Sequence, residues 1–440
     1  MNHRHPRPSR SRSPRPPRIP VPLLHPGERV RGSAMLEEGV AGEWGLVLWE
    51  SYRNVGDWAA TPRERRAPGM FGDGAAERRT EQLRPLAGRE PVLAGALETI
   101  RGLLADPAAA DARAVADACR RVAAWAGEGG RPLTRFYFAA AAGLCEPEDA
   151  RQAYEAGRLA RDLARWDAAE VWLEYAAAAA RRKRDRETQA IAVLGLGNLF
   201  YRRGFYRKAR EVHLAALALA RRHALREHCG RALHDLFVIA VELRDGQAAE
   251  AYAREALAAY GASHPNVLSL GFDVAYHWLA QGDVGRALPV LRALHPHTAP
   301  RSALRLRVLA CGAHAAAAVG DRALFTEMAD QAREAGSIPD ARGALAAALV
   351  EIAKGAALLE EETLATGLLD DAMEVARARG EVDVLARVDE LRHRLDTGTI
   401  VGVAVPAAPP GPDDLMADLL RSLETGGAGT PGGTAPLVRS

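Results

Sequence analysis

One interval governs what this chain can fold into. Ala169, Ala209, Ala249, Ala287, Phe325 and Ala365 each open the second helix of a predicted hairpin, and the gaps between them are 40, 40, 38, 38 and 40 residues. A period that steady calls for a stack of helix-turn-helix units, in which each unit buries its apolar face on its neighbours. Composition agrees: the chain is 48% hydrophobic but only 5% aromatic, with alanine tracts such as 176–180, which suits close-packed helices rather than a β-sandwich. The fold class predicted is all-α.

Charge and cysteine usage exclude several other classes. The 440 residues carry a net charge of +2, and only Lys183, Lys208 and Lys354 are lysines, an arginine bias that points to a GC-rich bacterial genome. Cys119, Cys145, Cys229 and Cys311 are far apart with no C-x-x-C pair, which argues against a disulfide framework or zinc knuckle and fits a reducing cytoplasm. No apolar run reaches the length of a membrane span, and residues 19–24 are interrupted by Pro20 and Pro22, so neither a transmembrane helix nor a signal peptide is expected.

Five segments follow in order. Residues 1–34 hold eight arginines, eight prolines and the single acid Glu28, and are expected to be a disordered basic tail or, since Met35 begins a more ordinary sequence, the product of a misassigned start. That tail carries +7, which leaves −5 for the rest, so any nucleic-acid affinity would lie in the tail. Residues 35–90 contain an amphipathic helix marked by Trp44, Leu48, Tyr52 and Val55, expected to cap the body, and then a loose linker over 59–90. Residues 91–149 add helices that form an N-terminal cap or degenerate repeats, and 150–396 form the repeat solenoid. Residues 397–440 give a proline-containing linker, a short amphipathic helix over 413–424 and a Gly-rich tail.

The clearest unit runs from Leu196 through Gly197, Asn198, Leu199, Phe200, Tyr201, Arg202, Arg203 and Gly204 to Ala209 and Ala216. Gly197 lets paired helices approach, Phe200 fills the groove between them, Gly204 turns the chain, and the two alanines keep the second helix close. Gly282 with Ala287, and Gly320 with Asp321 and Ala332, repeat the pattern, and Arg165, Trp166 and Ala169 match it more loosely. This pattern resembles the tetratricopeptide repeat (TPR) over about residues 150–380, although the family period is about 34 residues. The resemblance implies a right-handed superhelical solenoid whose first helices line a concave face, and composition places disordered termini on either side of it.

In that register the face would present Arg151, Tyr154 and Arg158, then Asn198, Tyr201 and Arg202, then Arg231 and His234, with Glu242, Phe272, Tyr276 and His314 farther along. Arginine forks and aromatic rings in a groove suit an extended acidic segment or a chain terminus. Glu155, Asp162 and Asp235 are near enough in sequence to pair with these arginines, which would make the same residues an ordinary solvated face. Val238, Phe272 and Tyr276 stand where the family's carboxylate clamp needs Asn, Lys and Arg, so the clamp is not carried over.

Catalytic and cofactor signatures are absent from the sequence. His223 and His228 are five apart and do not share a helix face, and with Cys229 and His234 they match no metal pattern. Asp273 and His277 are four apart on one predicted helix, a spacing that suits a hydrogen-bonded pair, but no motif places a nucleophile beside them. Residues 195–197 lack the third glycine and preceding strand of a dinucleotide site. No cofactor and no metal are expected.

Leu415, Met416, Leu419, Leu420 and Leu423 recur at helical spacing in the C-terminal segment, and so short a helix needs a surface to bury against. That surface is either the chain's own solenoid, as a groove plug or a terminal cap, or a second copy in a dimer. The function expected is a cytoplasmic, non-catalytic scaffold for a protein or peptide, with no membrane partner. The alternatives are a regulatory sensor whose basic tail contacts nucleic acid and, more remotely, a hydrolase using the His and Asp residues.

Overall fold

A computed structural model describes residues 35–36, 38, 43–298, 302–399 and 414–426, and among them every regular element is helical. The basic tail, the 400–413 linker and the Gly-rich end lie outside the described residues. The chain divides into two compact units, the first ending at His228 and the second beginning at Cys229.

In unit 1, α1 (Glu43–Ala60) precedes α2 (Ala75–Ala87), α3 (Pro91–Ala105), α4 (Ala112–Glu128), α5 (Pro132–Cys145), α6 (Ala150–Asp162), α7 (Trp166–Lys183), α8 (Arg186–Arg202) and α9 (Tyr206–Arg222). Helix α10 (Arg226–Glu242) crosses the unit boundary. Unit 2 continues with α11 (Gly246–Tyr260), α12 (Asn266–Ala280), α13 (Val284–Leu294), α14 (Ala303–Ala318), α15 (Arg322–Gly336), α16 (Leu345–Leu358), α17 (Glu362–Arg379), α18 (Val382–Asp396) and α19 (Asp414–Gly426).

Consecutive helices pair as hairpins: α4 with α5, α6 with α7 and α8 with α9 in unit 1, and α12 with α13, α14 with α15 and α16 with α17 in unit 2. The six residues that mark the period, from Ala169 to Ala365, each occupy the fourth position of a second helix and are buried. Five of the six are alanine, whose small size lets the helices approach closely, and Phe325, the sixth, fits because Gly355 lies against its ring.

The turn before each of those second helices has one construction. Ala164, Gly204, Arg244, Gly282, Gly320 and Glu360 all take positive φ, between 54° and 80°. Each donates its N–H three residues back, and the next residue donates five back, as in Gly204 N to Tyr201 O (2.9 Å) and Phe205 N to Phe200 O (2.9 Å). These paired bonds satisfy carbonyls that the first helix would otherwise leave open, the Schellman arrangement. Close packing of the helices is set by small residues: a Cβ at Gly197 would collide with the His213 imidazole, and one at Gly312 with Met328.

The amino-terminal helices close unit 1. Trp58 is buried and donates its indole N–H to the Pro107 carbonyl (2.8 Å), while Tyr52 meets Tyr137 with ring centroids 4.9 Å apart. Glu38 accepts from the N–H groups of Leu133 and Thr134 (2.8 Å each), capping the start of α5. The stretch 59–90 is not a loose linker throughout. It contains α2, which buries Ala76, Leu83 and Leu86 and is tied to α1 by the buried Arg79 on Glu50 (2.8 Å). A helix held by a buried arginine has too few apolar residues for periodicity to reveal it.

In unit 2, α19 packs on α11, α12 and α13, with Leu415, Leu419 and Leu423 buried and Leu419 set beside Gly271. It therefore sits upstream of the last hairpin, on repeats distant from it in sequence.

Positive φ costs an L-residue about 1 kcal/mol that glycine escapes. Arg244→Gly should therefore raise the thermal midpoint, with a gain of about 0.5–1 kcal/mol, and Gly204→Ala should lower it by about 1 kcal/mol. Both are read from unfolding followed by circular dichroism at 222 nm. Equal and unchanged midpoints would show that the turns do not hold the hairpins.

Candidate functional site

The first helix of each hairpin carries the polar residues singled out by register, and the structure distributes them between the two units. In unit 1, α6 contributes Arg151, Tyr154 and Arg158. Tyr154 is buried, with the exposed Arg151 guanidinium 5.6 Å from its ring centroid. Arg158 is committed within its own helix: Nε and Nη2 donate to Glu155 (2.9 and 2.6 Å) and Nη1 to Asp162 (2.9 Å). Burial would raise the Glu155 carboxyl, but the Arg158 hydrogen bond and charge hold it below the usual range. Three of the five Arg158 donor hydrogens are thereby engaged, the solvated-face arrangement rather than an open fork. On α8, Asn198, Tyr201 and Arg202 are half-buried, and the Tyr201 ring packs 5.5 Å from that of Tyr206.

In unit 2, Arg231 and His234 on α10 are half-buried and Glu242 is exposed. His234 Nε2 lies 3.0 Å from Oδ2 of Asp273 on α12, one repeat away. Asp273 thus reaches across to the preceding first helix, while His277, its i+4 neighbour, packs edge-on against Phe237. Phe272 does not line an open face: it is 2% exposed, stacked on Tyr276 at 6.0 Å and covered by the Arg307 guanidinium at 4.2 Å. Its aromatic face is occupied by a cation from α14 before any partner arrives.

The strongest constellation joins two residues read from register, His314 and Tyr276, to three that sequence reasoning did not single out for the groove, Glu351, Lys354 and Arg387. Glu351 on α16 is buried, and three basic groups converge on its carboxylate. His314 Nδ1 lies 2.9 Å from Oε2, Lys354 Nζ donates to Oε1 at 2.9 Å, and Arg387 Nη2 on α18 donates to the same oxygen at 2.5 Å. Burial alone would raise the carboxyl, but the His314 hydrogen bond and the Lys354, His314 and Arg387 charges hold it far below the ordinary glutamate range. Tyr276 stands within electrostatic reach, and burial, with Glu351 adding to it, pushes its phenol up to about 12, so it remains a neutral donor. The signal for this group was Glu351 itself, an acid inside the apolar run 345–353, where an ion is affordable only if paired.

The row is polar yet largely sheltered. Side-chain exposure is 12% for His234, 25% for Asp273, 22% for Arg307, 15% for His314, 33% for Lys354 and 32% for Arg387, so these groups meet solvent on one side. Cys119, Cys145 and Cys311 are buried, and burial raises all three thiols, Cys145 to about 12, which keeps them un-ionised at neutral pH. Of the repeat-forming residues, Phe200 is buried beneath Lys208, whose Nζ is 3.7 Å from the ring centroid, and Ala209, Ala216 and Ala287 are buried in second helices.

The Glu351 pairing makes a signed prediction. Its folded pKa lies below the ordinary value of 4.5, so its stabilisation is present above pH 4.5 and is lost as pH falls below it. Glu351→Gln should cost about 2 kcal/mol at neutral pH, less than a fully buried pair because the cations stay partly hydrated. The wild-type and variant thermal midpoints should converge on acidification from about pH 5 to 3. Parallel curves across that range would remove the ionised carboxylate from the account.

No family model matches the chain, and no curated protein matches it. Among solved structures, it is similar to a Rap protein complexed with competence and sporulation factor, at 12% identity and a TM-score of 0.43, over 77% of this chain and 99% of that one. It is also similar to a circular tandem repeat protein with novel repeat topology and enhanced subunit contact surfaces. There the identity is 14% and the TM-score 0.16, over 91% of this chain and 89% of that one.

Proposed function

We propose that the chain is a non-catalytic TPR-like scaffold that binds a protein or peptide segment of acidic character along its first helices, as a cytoplasmic bacterial protein. One observation carries the reading: in unit 2 the successive first helices α10, α12, α14, α16 and α18 present a linked, partly exposed polar row. Stacking of hairpins requires only apolar contacts, so a polar row repeated at each first helix is surplus to packing. Its cations, Arg307, Lys354 and Arg387, outnumber the carboxylates Asp273 and Glu351 that they touch. In unit 1 the corresponding surface is Arg151, Asn198, Tyr201 and Arg202. Within this reading residues 150–396 are the binding solenoid and 91–149 its amino-terminal cap.

The test is affinity capture from the native lysate, with nuclease present, using the chain started at Met35. Two variants accompany it: His234→Ala with Arg307→Ala in unit 2, and Arg151→Ala with Asn198→Ala and Arg202→Ala in unit 1. Helical circular dichroism checks that both fold. A protein retained by the parent and depleted about tenfold by either variant is the expected result. Capture that is equal for all three chains sinks the reading. A partner that requires residues 1–34 and disappears with nuclease would favour the nucleic-acid sensor instead.

A further inference from the structure

The Glu351 group has more donors than Glu351 uses. Arg387 directs one guanidinium nitrogen to the carboxylate and Lys354 one of three ammonium hydrogens, and no other acceptor is in hydrogen-bond reach of either among the described residues. Arg307 sits over the Phe272 ring, 4.2 Å from its centroid, and approaches Asp273 only to 3.8 Å, beyond hydrogen-bonding distance. The Tyr276 hydroxyl, one turn beyond Phe272 on α12 and within electrostatic reach of Arg307 and Arg387, donates to no protein acceptor among the described residues. None of these polar atoms is sealed from solvent and unsatisfied. Because Lys354 Nζ and Arg387 Nη2 share one carboxylate oxygen, at 2.9 and 2.5 Å, the two cations are held within about 5.4 Å of each other, closer than repulsion would leave them in water.

We infer that Tyr276, Arg307, Lys354 and Arg387 form a subsite for a single carboxylate of a bound peptide, with the buried Glu351 as the positioning residue that holds Lys354 and Arg387 together. The inference rests on the scaffold reading and specifies where its ligand is anchored. A carboxylate fits for two reasons. Planar oxygens accept from an arginine fork and an ammonium group at once. The three cations exceed the two carboxylates they touch by one charge, which one carboxylate neutralises; Asp383, one turn before Arg387, is exposed and screened. The carboxylate can come from an Asp or Glu side chain or from a chain terminus, since both present the same oxygens.

The experiment is a fluorine NMR titration of the full chain with three trifluoroacetyl-capped octapeptides of otherwise identical sequence. One bears a single Glu and a C-terminal amide, one bears Gln and a free C-terminus, and one bears Gln and the amide. One or both carboxylate peptides should bind about tenfold tighter than the third, and whichever does identifies the source. Arg307→Gln should reduce that preference severalfold, and Lys354→Gln with Arg387→Gln should abolish it. If the latter pair unfolds, Glu351→Gln is added, which removes the buried charge along with its partners. Equal binding of all three peptides overturns the subsite and leaves the scaffold reading to the capture experiment. A preference that survives in the folded Lys354 and Arg387 variants also overturns it, as does failure of every peptide to bind.

Discussion

The turn between paired helices is the constraint on which the rest depends. Three residues separate the helix that carries polar side chains from the one that carries the alanine seam, and the left-handed middle residue and the one after it donate to two otherwise open carbonyls. Because the turn is so short, the register between the two helices has no slack. The fourth residue of each second helix is held in one register against the helices around it. Within unit 2 the polar row along successive first helices accompanies four such turns, at Arg244, Gly282, Gly320 and Glu360, two of them at residues that bear the cost of positive φ.

Much of this was legible in the residues. The period, the hairpins and the buried alanines follow from markers at intervals of 38 and 40, alanine at five positions for close axial approach and Phe325 at the sixth, where Gly355 makes room for the ring. Gly204, Gly282 and Gly320 marked three turns. The equivalent turns at Ala164, Arg244 and Glu360 carried no such sign, since backbone hydrogen bonding and packing of the flanking helices fix the conformation whatever the side chain prefers. Helix α2 escaped because its buried stripe of Ala76, Leu83 and Leu86 is interrupted by Arg79, which reads as polar in sequence.

The site was harder to read, and the reason is instructive. Register tells which way a side chain leaves its helix, but not which neighbour it meets across the next repeat. Arg158 faces outward as read, yet Glu155 and Asp162 on the same helix take three of its donor hydrogens. Phe272 also lies on a first helix, and Arg307 from the following one covers it. Asp273 has His277 four residues on, but its distance to His234 is set by how two hairpins stack. Contacts between repeats are long-range in sequence, and one sequence alone does not encode them in a readable pattern.

The buried carboxylate is the feature that sets this surface apart from an ordinary solvated helix face. A pair of charges taken out of water gains little over an apolar residue of the same volume, because the desolvation cost nearly cancels the attraction. Leucine at 351, among alanines, valine and isoleucine, would meet the packing demands of α16 as well as glutamate does. What an apolar side chain cannot do is hold Lys354 and Arg387, from two helices, at one point against their mutual repulsion, with His314 from a third beside them. Glu351 adds little to the fold that packing could not supply; its distinctive effect is to fix cations of separate repeats at a spacing that only an anion would otherwise impose. On the scaffold reading, a surface arranged in advance in this way would lose less freedom on binding, which is where preorganisation contributes to affinity.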